Sequence, residues 1–166
     1  FRFTGELLTK LKGDTLQPLE GAVFKVNYSE GTGSDYKRKR TWYFVTDKNG
    51  KIKYDRKHLA DNDARFKGKV PASDEMFTTA ADINKTALPT CELHIKEYLA
   101  PDGYSKDGEM HVIVIKGIRD NNQKFTDKNA VADNTPTIKD PVAGDKWKVR
   151  VQAKKIDENG KGLAGA

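Results

Sequence analysis

Three charged side chains lie where a β-strand would point them into an apolar interior. Successive side chains of a strand alternate between its two faces, so positions of equal parity share a face. Glu97 ends an apolar stripe, which consists of Cys91, Leu93 and Ile95. Asp140 shares a face with Ile138. Lys10 shares a face with Leu8, although leucines on both faces of its strand make this stripe less regular. The sequence therefore offers one amine and two carboxyl groups that can face a core.

An amine and a carboxyl group buried together can react. An isolated charge in a protein interior is costly, so such groups are normally neutralised, paired or consumed. Burial lowers the pKa of a lysine amine and raises that of a carboxyl group. The resulting neutral amine and protonated acid are the forms that condense to an amide. For any one of the three residues alone, a strand-end charge that reaches solvent is the favoured interpretation. Their occurrence together, with the motif given below, favours reaction.

Short strands are the elements that must position these residues. Runs rich in β-forming residues and bounded by Gly, Pro, Asn and Asp recur along the chain, which is typical of an all-β sandwich or barrel. The predicted strands cover 4–11, 22–28, 41–46, 91–98, 110–116, 135–140 and 147–155. If the amine of Lys10 and the carboxyl group of Asp140 are the groups that react, the first of these strands must lie beside 135–140.

Turns and one irregular region separate the strands. The segments 47–50 and 157–160 each contain an Asn-Gly step, which favours a tight turn. Neither has the spaced oxygen ligands and closing Glu of a calcium loop. The stretch 60–88 is polar and weakly periodic, so it is predicted to be an irregular excursion with one short helix around 78–84.

An internal repeat defines the predicted domain organisation. The segment Lys10-Leu-Lys-Gly-Asp-Thr-Leu-Gln-Pro-Leu-Glu-Gly-Ala22 is echoed by Lys155-Ile-Asp-Glu-Asn-Gly-Lys-Gly-Leu-Ala-Gly-Ala166. The offset of 145 residues between the two lysines is a sensible domain length. We therefore expect a complete domain at 1–145 and, at 146–166, the opening strand of a following repeat in a tandem array, without its native sheet partners.

The bulk composition disfavours nucleic-acid and membrane functions. The net charge of +6 includes a basic run at 37–40, but this run lies between a Gly-rich segment and a predicted strand, so we interpret it as a solvated loop. Elsewhere Lys alternates with Asp and Glu. The mean hydropathy is −0.76, and no apolar run approaches the roughly 20 residues of a membrane span. We expect neither nucleic-acid binding nor membrane insertion.

Cysteine and histidine give no indication of a cofactor, a metal or a conventional enzyme. The single cysteine, Cys91, excludes a disulfide framework and is interpreted as a small core residue. The histidines, His58, His94 and His111, are scattered and form no catalytic or metal-ligand spacing. We expect no cofactor, no metal site and no enzymatic turnover.

One motif is specific. The segment Glu97-Tyr-Leu-Ala-Pro-Asp-Gly-Tyr104 resembles the E-x-x-A-P-x-G-Y signature of Cna B-type domains, also called SpaA-type or prealbumin-like domains, of Gram-positive surface proteins and pilins. Residues 10–22 resemble the opening strand and turn of that family, and 41–50 resembles its central hairpin. The resemblance covers most of 4–142 and leaves 60–88 unmatched. It implies an antiparallel two-sheet sandwich, immunoglobulin-like or prealbumin-like.

The resemblance also implies a covalent cross-link. In the family, a lysine on the first strand condenses with an Asn or Asp on the last strand, assisted by a glutamate. Carried over, this makes Lys10 the nucleophile, Asp140 the electrophile and Glu97 the proton shuttle. Because the electrophile is Asp, water is the leaving group. Lys155 is the equivalent lysine of the second repeat.

Three other residues compete for these roles. Lys12 has the same parity as Lys10, although the spacing to the Gly-Ala step at 21–22 favours Lys10. Asp133 and Asn134 are weaker alternatives to Asp140, because they precede the apolar part of the last strand.

The resemblance implies a structural role outside the cell. The leading hypothesis is a stalk or backbone module of an adhesin or pilus on the bacterial surface, anchored to the cell wall through regions outside this chain, with neighbouring repeats as its partners. Its self-modification is a single turnover. The alternative is an adhesin module that binds a host protein or glycan through the loops 29–40 or 60–88, with Tyr36, Phe66 and Phe77 as exposed contacts.

Overall fold

The computed structural model describes residues 3–79, 81–119, 125–142, 157–158 and 161–162. Two β-sheets form a sandwich, and two short strands, β9 and β10, form a further two-stranded sheet. Five strands form one sheet in the order β3-β2-β5-β6-β7, and three form the other in the order β4-β1-β8. The strands are β1 Glu6–Lys12, β2 Val23–Ser29, β3 Arg40–Val45, β4 Lys51–Lys53, β5 Cys91–Leu99, β6 Met110–Arg119, β7 Phe125–Asp133, β8 Thr137–Asp140, β9 Asp157–Glu158 and β10 Lys161–Gly162. The predicted all-β sandwich is confirmed.

Strand β5 shows how the sequence pattern becomes a buried face. The odd-numbered residues from Cys91 to Glu97 point inward as their parity predicts, and Glu97 is only 2% exposed. His94 and Lys96 point to the opposite face. The strand lies in the middle of the five-stranded sheet, where β2 and β6 both pair with it in antiparallel register. Glu97 is therefore held at the core by a strand bonded on both sides.

The three-stranded sheet places β1 beside β8, which lie far apart in the sequence. Strand β1 pairs with β8 over four residues, so the expected adjacency of the first and last strands is observed. This pair is parallel, whereas the other described strand pairs are antiparallel. On its other edge β1 pairs with β4, with a register shift between Glu6 and Leu8. Leu7 and Leu8 are both buried next to this shift.

The core lies between the two sheets and is rich in aromatic side chains. Trp42 is fully buried and packs edge-on against Tyr54, with ring centroids 5.0 Å apart. Leucine, isoleucine and valine side chains from both sheets surround this pair. Burial of these side chains supplies the main driving force for closing the sandwich.

The region between β4 and β5 differs in detail from its prediction. The described residues of 78–84 form turns and not a short helix, and a β-bridge joins Thr78 to Thr86. Polar side chains bind the local backbone here: Thr79 Oγ1 accepts from Asp82 N, and Asp82 Oδ1 accepts from Asn84 N. Such bonds compete with helical ones. Three short 3-10 helices lie earlier, at Arg56–His58, Ala60–Asn62 and Ala64–Phe66.

Two strands of the sandwich, β4 and β7, were missed by the pattern, and some predictions fall outside the described residues. Strand β4 is short, and β7 is polar, so neither has a strong β-rich pattern. The predicted turn at 47–50 is confirmed, since Gly50 N donates to Asp47 O at 2.9 Å. The predicted strand at 147–155, the boundary at 145 and Lys155 lie outside the described residues. Strands β9 and β10 pair antiparallel with each other.

Candidate functional site

The structure brings Lys10, Glu97 and Asp140 together inside the sandwich. Lys10 and Asp140 come from the adjacent strands β1 and β8 of the three-stranded sheet, and Glu97 comes from β5 of the facing sheet. Their side chains are completely inaccessible to solvent. The three charges that strand parity assigned to apolar faces are therefore all buried, and they meet at one point between the sheets.

The lysine amine contacts both carboxyl groups. Lys10 Nζ lies 3.1 Å from Glu97 Oε1 and donates a direct hydrogen bond to Asp140 Oδ1. In the parallel ladder the Cα partner of Lys10 is Ile138, two residues before Asp140 on the same face. The long lysine side chain thus reaches diagonally along the core face of the ladder to the carboxyl group.

The surroundings of these groups are apolar. Lys10 Nζ lies 5.6 Å from the centroid of the Phe24 ring, and Phe24 is the cross-strand partner of Glu97. Glu97 Oε2 and Asp140 Oδ2 are buried and have no hydrogen-bond partner among the described residues. Such surroundings disfavour the charged forms of these groups and so favour their neutralisation.

Burial shifts the protonation of the glutamate. It raises the pKa of Glu97 to about 8, and the neighbouring Asp140 carboxyl group contributes in the same direction. The backbone N–H of Asp107 and the charge of Lys10 lower the pKa but do not offset the burial. Glu97 can therefore exchange a proton near neutral pH, which is what a general acid and base requires.

The backbone near Asp140 is held by residues that the sequence analysis did not single out. Gly13 N donates to Asp140 O at 2.6 Å. A Cβ atom at Gly13 would lie 2.6 Å from that same oxygen, so only glycine fits here without displacement. Asp107 N donates to Glu97 Oε1 at 2.7 Å. These are main-chain contacts, which cannot be predicted from residue type alone.

The competing residues occupy different environments. Lys12 is the Cα partner of Asp140 across the ladder, but it is partly exposed, and the amine that contacts Asp140 is that of Lys10. Asp133 and Asn134 are both exposed. Asp133 forms an ion pair with Lys116 at 2.7 Å.

Cys91 and one group of potential metal ligands are also present among the described residues, and we assign no reactive role to either. Cys91 is buried, and burial raises its pKa to about 12, so its thiolate form is scarce at neutral pH. Asp107, Glu109 and His111 bring one potential metal ligand each within 4.8 Å of one another. A hydrogen bond of 2.9 Å between His111 Nε2 and Asp107 Oδ2 accounts for this grouping, and we assign no metal to it.

The aromatic residues predicted to be exposed contacts are partly buried, which corrects that prediction. Tyr36 stacks on His94 with ring centroids 3.6 Å apart. Phe77 lies 4.9 Å from Tyr28 and belongs to the edge of the main core. Phe66 packs against a second, smaller core cluster. These side chains are used to attach the loops to the sheets, so they do not form the exposed aromatic surface that the adhesin alternative expected.

An open cleft of about 460 Å³ lies between 65–69 and 99–102. Arg65 lines it and is already paired with Asp63 at 2.8 Å and with Glu20 at 3.7 Å. The charge of Arg65 is thus already satisfied within the chain. Among the described residues, no helix combines the length and the apolar character required to cross a membrane.

Comparison with solved structures finds similarity to a pilin. The chain is similar to BcpA, the major pilin subunit of Bacillus cereus, with 19% identity and a TM-score of 0.37, and to a variant of that subunit, with 16% identity and a TM-score of 0.39. These alignments cover 86% and 84% of this chain, but only 28% and 29% of the pilin chains. No protein-family model matches the sequence, and no curated protein matches it. The chain thus spans less than a third of the solved pilin chains.

Proposed function

We propose that this chain is a stalk or backbone module of a bacterial cell-surface pilus or adhesin, braced by an autocatalytic isopeptide bond between Lys10 and Asp140. The observation that carries the proposal is the fully buried contact of the Lys10 amine with both carboxyl groups. Reactants held at contact distance in a fixed orientation need little further entropy loss to react.

The reaction balances without a co-reactant. Transfer of one proton from the Lys10 ammonium to the Asp140 carboxylate gives a neutral amine and a protonated acid. Neutral Lys10 Nζ then attacks Asp140 Cγ, an N–C bond forms, the C–O bond to the hydroxyl group breaks, and that oxygen leaves as water. Protonated Glu97 delivers its proton to the departing oxygen and takes one from the attacking nitrogen, so it ends in its starting state. Overall, one ammonium and one carboxylate give one amide and one water. The product amide replaces a buried ion pair and removes an oxygen from the site.

The position of the bond explains a mechanical role. In a tandem array, tension enters a module near its first strand and leaves near its last. Lys10 and Asp140 lie on the adjacent strands β1 and β8, separated by 130 residues of sequence. A covalent link between them carries the load directly from one strand to the other. Such a module would resist force and proteases outside the cell without any disulfide, with neighbouring repeats as its partners.

Intact mass measured under denaturing conditions tests the proposal. The wild-type chain should weigh one water less than its sequence, and denaturation should not restore the difference. Glu97→Ala, Lys10→Ala and Asp140→Ala should each show the full mass. Lys12→Ala is the matched control and should show the same loss of water as the wild type. A full mass for the folded wild-type chain would reject the cross-link.

A further inference from the structure

We propose that the segment 100–107, here called the positioning loop, fixes Glu97 and the end of β8, which carries Asp140, in the relative positions that isopeptide formation requires. The loop directly follows β5, which ends at Leu99. It contacts both carboxyl-bearing parts of the site through main-chain N–H groups. This inference rests on the proposed function and assigns that reaction a further set of positioning residues.

The first contact fixes the glutamate. Asp107 N donates to Glu97 Oε1 at 2.7 Å, and the same oxygen lies 3.1 Å from Lys10 Nζ. Two donors on one oxygen hold the carboxyl group in a single orientation, with Oε1 toward the amine. The side chain of Asp107 is itself held by His111 Nε2 at 2.9 Å, so the donating N–H belongs to a restrained residue.

The second contact fixes the strand end that carries the electrophile. Ser105 N donates to Pro141 O at 2.8 Å, and a β-bridge joins Tyr104 to Val142. Pro141 is the residue that follows Asp140. The loop therefore prevents the end of β8 from moving away from Glu97, while Gly13 N holds Asp140 O from the other side.

A tight turn shapes the loop for both contacts. Tyr104 N donates to Pro101 O at 3.1 Å, and Gly103 between them has a φ of +89°. A positive φ at the third position is the requirement of a type II turn, and glycine meets it without strain. The Pro-Asp-Gly-Tyr part of the motif at 97–104 thus has a geometric purpose, which is to aim the next main-chain donors at the site.

Substitution of the turn glycine provides the central test. Gly103→Ala places a side chain at a positive φ, whereas Gly108→Ala, the matched control, has open space around the new Cβ and no positive φ. Each chain is made by cell-free synthesis and sampled over time. Intact mass gives the cross-linked fraction, and resistance to a brief protease pulse gives the folded fraction. We expect Gly103→Ala to cross-link about tenfold more slowly per folded molecule, the effect of losing roughly one charge-assisted hydrogen bond. Gly108→Ala should match the wild type.

Removal of a single donor provides a second variant that does not depend on the turn. Ser105→Pro lacks the N–H that binds Pro141, and Ser105→Ala keeps it. We expect slower cross-linking per folded molecule for the proline variant alone.

A pH profile separates positioning from general stability. The Asp107 N–H lowers the pKa of Glu97, which also faces Lys10 from β1 and Asp140 from β8. Because protonated Glu97 is the proton donor to the departing oxygen, the cross-linking rate should fall at high pH. Asp107→Pro lacks the N–H that lowers the pKa of Glu97, so in this variant the fall should move to higher pH. Asp107→Asn keeps the N–H and should leave the profile in place.

The outcomes distinguish this inference from the proposed function. A wild-type chain that never loses water would overturn the proposed function itself. A wild-type chain that loses water, together with Gly103→Ala and Ser105→Pro variants that cross-link at the wild-type rate per folded molecule, would overturn only the positioning loop. An unmoved pH profile in Asp107→Pro would also contradict it.

Discussion

At the scale of single residues, the chemistry of the site depends on the burial of three ionisable side chains. Lys10, Glu97 and Asp140 are all shielded from water, and the desolvation of three ionisable groups must be offset by contact among them. Removal of one of these three groups leaves the desolvation cost of the other two less fully offset. Condensation of Lys10 with Asp140 would remove this desolvation cost in a different way, because the amide product carries no charge.

The pH dependence of cross-linking follows from Glu97. Burial raises its pKa to about 8, so it is mainly protonated below that pH and can donate to the departing oxygen. As the pH rises through 8, the protonated fraction falls. We expect the cross-linking rate of newly synthesised chains to decline from pH 7 to pH 9, as measured by intact mass. A rate that keeps rising over this range would contradict the role of Glu97 as the acid.

Strand parity could predict the positions of the candidate site residues, but not what holds them. The alternation along β5 predicted that Glu97 faces the core, and the structure confirms this. Gly13 and Asp107 act through main-chain N–H groups, which every residue except proline has. Their importance depends on where the chain folds back, and local sequence patterns do not contain that information. The chemical roles of Lys10, Glu97 and Asp140 stay predictions.

At the scale of elements, the parallel pairing of β1 and β8 is the feature that would permit the proposed cross-link. The ladder sets Lys10 two residues before the position opposite Asp140, a distance that a lysine side chain can span. Just beyond the ladder, Gly13 lets the two backbones approach closely.

Gly13→Ala should therefore disturb the joined ends of β1 and β8. The new Cβ would lie 2.6 Å from Asp140 O and 3.0 Å from the Cα of Pro141, so the backbone must move. Such overpacking typically costs about 1–3 kcal/mol. We expect a lower free energy of unfolding, measured in the Glu97→Ala background where no bond forms, and slower cross-linking in the wild-type background. Gly108→Ala is the control. Unchanged values for Gly13→Ala would show that the close approach is not required.

Strands with a clear alternation of apolar and polar residues could be predicted from the sequence, and the other strands could not. Strands β2, β3 and β5 were placed to within one residue at each end, because they supply many of the buried core side chains and therefore have a strong apolar pattern. Strand β4 has three residues, and β7 contains Asp, Lys and Asn, which are depleted in strands. Strand β7 is paired through its backbone with β6, so tertiary context, which is absent from the local pattern, decided its structure.

At the scale of the whole molecule, the cross-link would close a loop of 130 residues. By analogy with disulfides, such a closure stabilises a domain by about 5 kcal/mol. This is comparable to the net stability of a whole domain. The stabilisation does not depend on redox conditions, because an amide is not reduced by thiols.

Stretching of single molecules should show the mechanical consequence. With the bond formed, the residues between Lys10 and Asp140 cannot extend when the chain is pulled from its ends. Without it, those 130 residues should add about 450 Å of contour length. We expect this extension from Glu97→Ala and not from the wild type. The same added length in both proteins would show that the load is not carried by a Lys10–Asp140 link.

Peptide mapping of the wild-type chain tests the central claim most directly. Proteolysis followed by fragmentation mass spectrometry should find one branched peptide, in which the fragment containing Lys10 is joined to the fragment containing Asp140 with the loss of one water. The Glu97→Ala chain, digested in parallel, should give the two fragments separately. Separate, unmodified fragments from the folded wild-type chain, or a branch at Lys12 or Asp133, would contradict the account.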